Sequence, residues 1–162
     1  MRKFNAESAI VALELQRILA EFAHDLDFNN CRGIADFYAE DGVFAVGDFT
    51  YQGKTAIRKF YTDREGRVAA QHKDGVRVSA HTFLNVRVDV ADRSNATVYF
   101  TNVNYAGEGH PPVRGTITPA MVTDCRMVFR LGPDGNWLIT SFSGKPLFVG
   151  DDPFSKGSLL KS

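Results

Sequence analysis

Residues 76–90 of the chain run VRVSAHTFLNVRVDV. Before this stretch apolar residues recur at three- and four-residue steps; from it onward they alternate, which is the period of a β-strand. Within the stretch the alternation slips. Val86, Val88 and Val90 share one parity, while His81, Phe83, Asn85, Arg87 and Asp89 share the other. A straight strand cannot turn both His81 and the valines to one face. A bulge near residues 83–85 resolves the conflict, and strongly curved sheets carry such bulges. The slip therefore predicts a curved sheet and decides whether His81 faces inward.

Downstream, period-two segments predict further strands at 96–106, 121–131 and 136–148. They are separated by VADRSN, GEGHPPVRG and LGPDGN, the last of which carries the Asp-Gly of a tight hairpin. Upstream, Ile10, Val11, Leu15, Ile18, Leu19, Phe22 and Leu26 make one face of a long helix over about 6–28, with Asn5 as its N-cap. NNCRGIADFYAEDG predicts a short second helix capped by Asn29 or Asn30, with Ile34, Phe37 and Tyr38 facing inward and Gly42 ending it. VFAVGDFTYQG predicts a hairpin across Gly47 and Asp48, and KTAIRKFYTDREGRVAA a third helix with Ile57, Phe60 and Tyr61 on one side. Three helices followed by antiparallel strands predict one α+β domain over residues 1–162, its helices packed on one face of a strongly curved sheet. Such a sheet leaves a conical cavity suited to a small molecule. The polar tail, 149–162, is either frayed or a flap.

Nineteen basic and nineteen acidic residues cancel, so no net field draws the chain to nucleic acid or to an anionic membrane. The N-terminus begins basic, but Glu7, Glu14, Arg17 and Glu21 interrupt its apolar positions. Neither a signal peptide nor the ~20 apolar residues of a membrane span is expected, and a cytoplasmic location is the default. Cys31 and Cys125 lie in no CxxC or Cys/His spacing, which predicts reduced thiols and no zinc site. No His/Asp/Glu cluster has ligand spacing, and GEGHPPVRG lacks the strand-to-helix setting of a nucleotide loop, so neither metal nor cofactor is expected.

Of the four histidines, His24 on the first helix, His72 in AAQHKDG and His110 in the Pro/Gly loop are expected to be surface or loop residues. His81 differs by sitting in an apolar strand. Its imidazole, with a reference pKa of about 6.5, suits proton transfer near neutrality. A carboxylate on its second nitrogen would fix the tautomer and stabilise the imidazolium. HDLDFNN supplies Asp25 and Asp27, which point to different sides of a helix. Asp27, where the apolar face runs out, either reaches such a partner or caps the next helix.

LDFNNCRGIADFYAEDGVF, AHTFLNVRVDV and DGNWLITSFSGKP together resemble the NTF2-like superfamily, in its SnoaL-like branch that contains scytalone dehydratase and hexachlorocyclohexane dehydrochlorinase. The resemblance implies a cone of three N-terminal helices on a mixed or antiparallel sheet. It also implies a His–Asp dyad, formed here by His81 and Asp27, that takes a proton from carbon without a cofactor. The implied activity is a dehydratase-like lyase or isomerase acting on a hydrophobic, cyclic small molecule, and the implied assembly is a homo-oligomer. A trimer follows from the resemblance; alternation of Val, Met and Phe with polar residues on the outer face admits a dimer as well.

The chain also departs from its relatives. Val46 stands where ketosteroid isomerases place a base carboxylate, Phe142 lies near the dehydrochlorinase arginine, and ATVYFTNVNYAG lacks the dehydratase's second histidine. Thr123-Asp124 resembles that enzyme's Thr-Asn pair. Candidates to polarise or line the site are Tyr38, Tyr99, Asn102, Asp124 and Phe142, with Asp124 and Arg126 either a pocket pair or on the outer face. Two other readings compete: a non-catalytic binding or accessory protein, and a limonene-type epoxide hydrolase using Arg87 and Asp89.

Overall fold

The computed structural model describes residues 5–115 and 117–159; residues 160–162 of the expected tail lie outside the described residues. Helix α1 spans Ala6–Phe28. Asn5 and Ser8 cap it reciprocally, each side chain accepting the other's backbone N–H, which satisfies two of the donors that a helix start leaves unpaired. Val11, Leu15, Leu19 and Phe22 form its buried stripe. Ile10, expected on that stripe, is 58% exposed, because it lies about 100° before Val11 around the helix.

The expected second helix is absent. Asn29 caps the end of α1 instead, and Asn30 and Cys31 take positive φ of 54° and 61°, a geometry that breaks a right-handed helix. Only a 3-10 turn over Ile34–Phe37 follows. Tyr38 then opens strand β1, Tyr38–Val46, and pairs with Ile139. Gly42 sits inside that strand, in an irregular stretch of its register. A Cβ there would come within 2.9 Å of the Ala39 carbonyl oxygen, so the close approach requires glycine.

Strand β2, Phe49–Gln52, completes the expected hairpin. The single third helix proves to be two, α2 over Lys54–Thr62 and α3 over Arg64–Gln71, joined at Asp63. Strands β3 (Arg77–Val90), β4 (Asn95–Glu108), β5 (Pro119–Leu131) and β6 (Trp137–Val149) follow, and α4 (Pro153–Leu159) ends the described chain. The six strands form one mixed sheet in the order β2-β1-β6-β5-β4-β3; β1 runs parallel to β6 and all other pairs are antiparallel. Helices on one face of this curved sheet make the α+β, NTF2-like cone. Phe142 joins its core, with ring centroids 6.1 Å from Phe22, 5.5 Å from Phe44 and 6.1 Å from Phe100. Aromatic contacts of this kind add about 0.5–1.5 kcal/mol each beyond area burial.

The slip in β3 is a bulge. Leu84 pairs with Thr101 and Arg87 with Tyr99, so Asn85 and Val86 together oppose Phe100. Asn85 takes φ of 54°, the left-handed conformation that a short polar side chain tolerates. Before the bulge, Arg77, His81 and Phe83 line the inner cavity; after it, Val86, Val88 and Val90 pack on the core. No helix among the described residues is long and apolar enough to cross a membrane.

Candidate functional site

Strand β3 is the last strand of the sheet, so every second N–H along it has no neighbouring strand to bond. At His81 the last turn of α1 supplies the missing acceptor. Asp27 Oδ2 accepts the His81 backbone N–H at 2.7 Å, and Oδ1 lies 2.7 Å from the ring Nδ1. A carboxylate only accepts, so Nδ1 carries a proton and Nε2 keeps a lone pair. The side chains are 6% and 18% exposed for Asp27 and His81. Asp25, two residues earlier, closes the turn by accepting the Gly33 N–H. A Cβ at Gly33 would come 2.7 Å from its Oδ1. The two carboxylates thus divide the tasks: Asp25 holds the turn, and Asp27 holds the ring.

Across the ladder from His81 stands Asn104, 5% exposed. Its Nδ2 donates to His81 Nε2 at 2.7 Å, and its Oδ1 accepts from Arg77 Nη2 at 3.3 Å. Arg77 in turn grips Asp152 with Nε at 3.0 Å and Nη2 at 2.9 Å. Asp152 also accepts from the N–H and hydroxyl of Ser155, at the start of α4. Burial would raise the Asp152 carboxyl, but the Arg77 guanidinium and the Ser155 bonds hold it down to about 2. His72, expected at the surface, is 5% exposed, with Nε2 3.5 Å from Asp152 Oδ1. It is buried because α4, with Asp152 at its head, packs over α3.

Arg77, His81, Asn104 and Ser155 border one cavity, walled by Phe22, Phe44, Phe60, Phe83, Phe142 and Phe154 and reached by Asn102, Arg64 and Thr123. Asn102 Oδ1 is buried there without a protein partner. Cys31 and Cys125 also line it; burial pushes their thiols up to about 11 and about 12, so neither is a thiolate at neutral pH. Among the described residues no group of three His, Cys, Asp or Glu side chains is arranged to hold a metal.

The structure therefore brings together Asp27, His81, Asn102 and Phe142, and separates the other candidates. Tyr38 is fully buried in β1 rather than on a helix and does not line the cavity. Tyr99 faces the opposite side of the sheet, beneath the Arg87 guanidinium at 4.1 Å from the ring centroid. Asp124 and Arg126 share that outer groove with Tyr99. In β4 and β5 it is the parity of Asn102, Asn104, Thr123 and Cys125 that faces inward, which puts Tyr99 and Asp124 outside. Arg87 lies beyond the bulge with its side chain on that outer face, so the epoxide-hydrolase reading loses its guanidinium.

Residues 8–143 match a family model described as the SnoaL-like domain. A solved protein from Catenulispora acidiphila in complex with S-DNPA is 24% identical, covering 85% of this chain and 94% of that one at a TM-score of 0.68. An NTF2-like protein with a cystatin-like fold from Novosphingobium aromaticivorans is 22% identical, with coverage of 96% and 97% and a TM-score of 0.67. ActVI-ORFA from Streptomyces coelicolor is 17% identical, with coverage of 85% and 98% and a TM-score of 0.69. No curated protein matches the chain.

Proposed function

The chain belongs to the SnoaL-like domain family, and on that premise we propose that it is a cofactor-independent lyase or isomerase in which His81 removes a proton from carbon. The observation that carries this reading is the double grip of Asp27 on the His81 N–H and Nδ1, which leaves the Nε2 lone pair beside the cavity. Nε2 takes a proton next to a carbonyl or a leaving group. Asp27 keeps Nδ1–H and offsets the imidazolium charge as it develops. In an elimination, the C–H electron pair forms the new double bond and hydroxide departs. The imidazolium then gives its proton to that hydroxide, so water leaves and the base is restored. Asn102, with its unpartnered amide oxygen, is available to orient a substrate hydroxyl. The phenylalanine walls suit a hydrophobic ring.

One observation favours a second reading, binding without chemistry: Asn104 already occupies Nε2. A substrate must displace or share that donor, whereas a mere ligand need not. The two readings separate on a panel of cyclic hydroxy-ketones assayed with wild type, His81→Ala and Asp27→Asn. Loss of the base is expected to lower turnover by ~10²–10⁴-fold, and Asp27→Asn by less. Turnover that survives His81→Ala unchanged, or no elimination on any substrate, defeats the proton-abstraction reading.

A further inference from the structure

Arg64 opens α3, and its guanidinium lines the cavity that His81 also borders. It donates from Nη1 to Asn30 Oδ1 at 3.1 Å and from Nη2 to Ser79 Oγ at 3.4 Å, and lies 5.7 Å from the Phe154 ring centroid. All of these partners are neutral. Among the described residues no carboxylate comes within the 4.0 Å of an ion pair with Arg64. Glu65 bonds the amide nitrogen of the same Asn30, one group removed from the charge.

The other lining cation is matched, and so is the carboxylate behind His81. Arg77 is held by both oxygens of Asp152, and both oxygens of Asp27 are spent on His81. Among the described residues Arg64 alone lines the cavity as a cation without a counter-ion in contact. Two of its N–H groups are used, on neutral oxygens; a guanidinium fork has five. A partly desolvated cation with spare donors beside apolar walls gains most from a bound anion. Ser79, which positions it, precedes His81 by two residues on the same face of β3, a spacing of about 7 Å. An anionic oxygen on Arg64 and a C–H bond at His81 therefore fit within one small ring compound.

We propose that Arg64 is an anion-recognition group of this cavity, and that its occupant is a cyclic molecule carrying a carboxylate or an acidic, enolisable oxygen. For the reaction this rests on the proton-abstraction reading; for the binding it does not. As His81 takes the proton from carbon, the C–H electron pair moves toward the carbonyl and its oxygen becomes enolate. Arg64 is placed to offset that charge. No oxidant, reductant or second substrate is required.

Benzoate and benzamide share a ring and a shape and differ in charge, so their NMR-monitored titrations isolate the guanidinium. Wild type is expected to bind benzoate about tenfold tighter at low salt, with the preference shrinking as salt rises. Arg64→Gln equalises the two ligands. Arg64→Lys keeps part of the preference, because the charge stays while the fork is lost. Arg126→Gln, on the outer face, behaves as wild type. His81→Gln keeps the preference whether or not any turnover exists, so failure of the proton-abstraction reading leaves this result standing. Equal affinities in wild type, or a full preference in a folded Arg64→Gln, overturn the proposal. Should Arg64→Gln not fold, a benzoate preference in wild type that salt leaves unchanged overturns it equally.

Discussion

His81 lies 2.7 Å from Asp27 and His72 lies 3.5 Å from Asp152, two histidine–aspartate contacts in one small domain, yet their surroundings differ. At His81 one ring nitrogen meets an acceptor and the other a donor, the amide of Asn104. A lone pair therefore survives, beside a cavity. At His72 both nitrogens meet acceptors, Asp152 on one side and the Val68 carbonyl at 3.3 Å on the other. Neither nitrogen opens on the cavity, since His72 is absent from its wall. The aspartates differ in the same way. Asp27 is spent on its histidine, whereas Asp152 is dominated by Arg77 and by the start of α4. What the second nitrogen and the second oxygen do separates the proposed base from a brace.

The sharpest way to break this contrast is to remove each ring in turn. His81→Ala is expected to lower turnover by ~10²–10⁴-fold and to cost about 1–3 kcal/mol of stability as well, since it leaves the Asp27 carboxylate without its ring partner. His72→Ala is expected to act on stability alone. It leaves turnover almost intact and lowers stability by roughly 1–3 kcal/mol, because it strips a buried, hydrogen-bonded group from beneath α4. Denaturant melts and initial rates on the same preparations measure both. Equal losses of turnover would erase the distinction.

Asp152 sharpens it further, through the anchoring of α4. Its carboxyl lies at about 2 against an ordinary 3.8, so its contribution to folding is complete above about pH 4 and is lost as pH falls through about 2. Asp152→Asn imitates that loss at neutral pH by removing the charge from the Arg77 fork. Trypsin cleavage after Lys156, exposed in α4, is expected to accelerate roughly tenfold, about 1.4 kcal/mol of local opening. The His81–Asp27 contact is expected to persist. An unchanged cleavage rate would show that other contacts hold α4.

How much of this was legible depended on how far apart the interacting residues lie. The bulge was written in a single strand, since the parity slip between His81 and Val86 admits few other solutions. Extending the same parity back along β3 reaches Ser79 and Arg77, so these two were legible in principle, as was Asn104 two residues beyond Asn102. The second helix was not. Ile34, Phe37 and Tyr38 have helical spacing, and what makes Tyr38 a strand residue is its pairing with Ile139, a hundred residues away in the chain. For the same reason AAQHKDG looked like surface: the residue that buries His72 and pairs with Arg77 lies in the tail. Asp27 fell between these cases. Its divergence from Asp25 was readable, but which of the two would hold the turn depended on the approach of Gly33.

The smallest expected effect concerns the one side chain that touches both networks. Asn104 links Arg77 to His81 Nε2, so among the described residues its amide joins the Asp152 network directly to the proposed base. If the link is real, Asp152→Asn and Asn104→Ala should not add. Once the amide is gone, releasing Arg77 has no direct link to the ring. Their coupling in turnover is expected at about 0.5–1 kcal/mol, or roughly two- to fivefold. A double-mutant cycle measures it, with His72→Ala and Asn104→Ala as the control cycle, because His72 touches Asp152 but not the Arg77–Asn104 bond. Additivity within about 0.3–0.5 kcal/mol in the first cycle would make the two histidine–aspartate contacts independent. Asn104 would then be a packing neighbour of His81, and the base would be tuned by Asp27 alone.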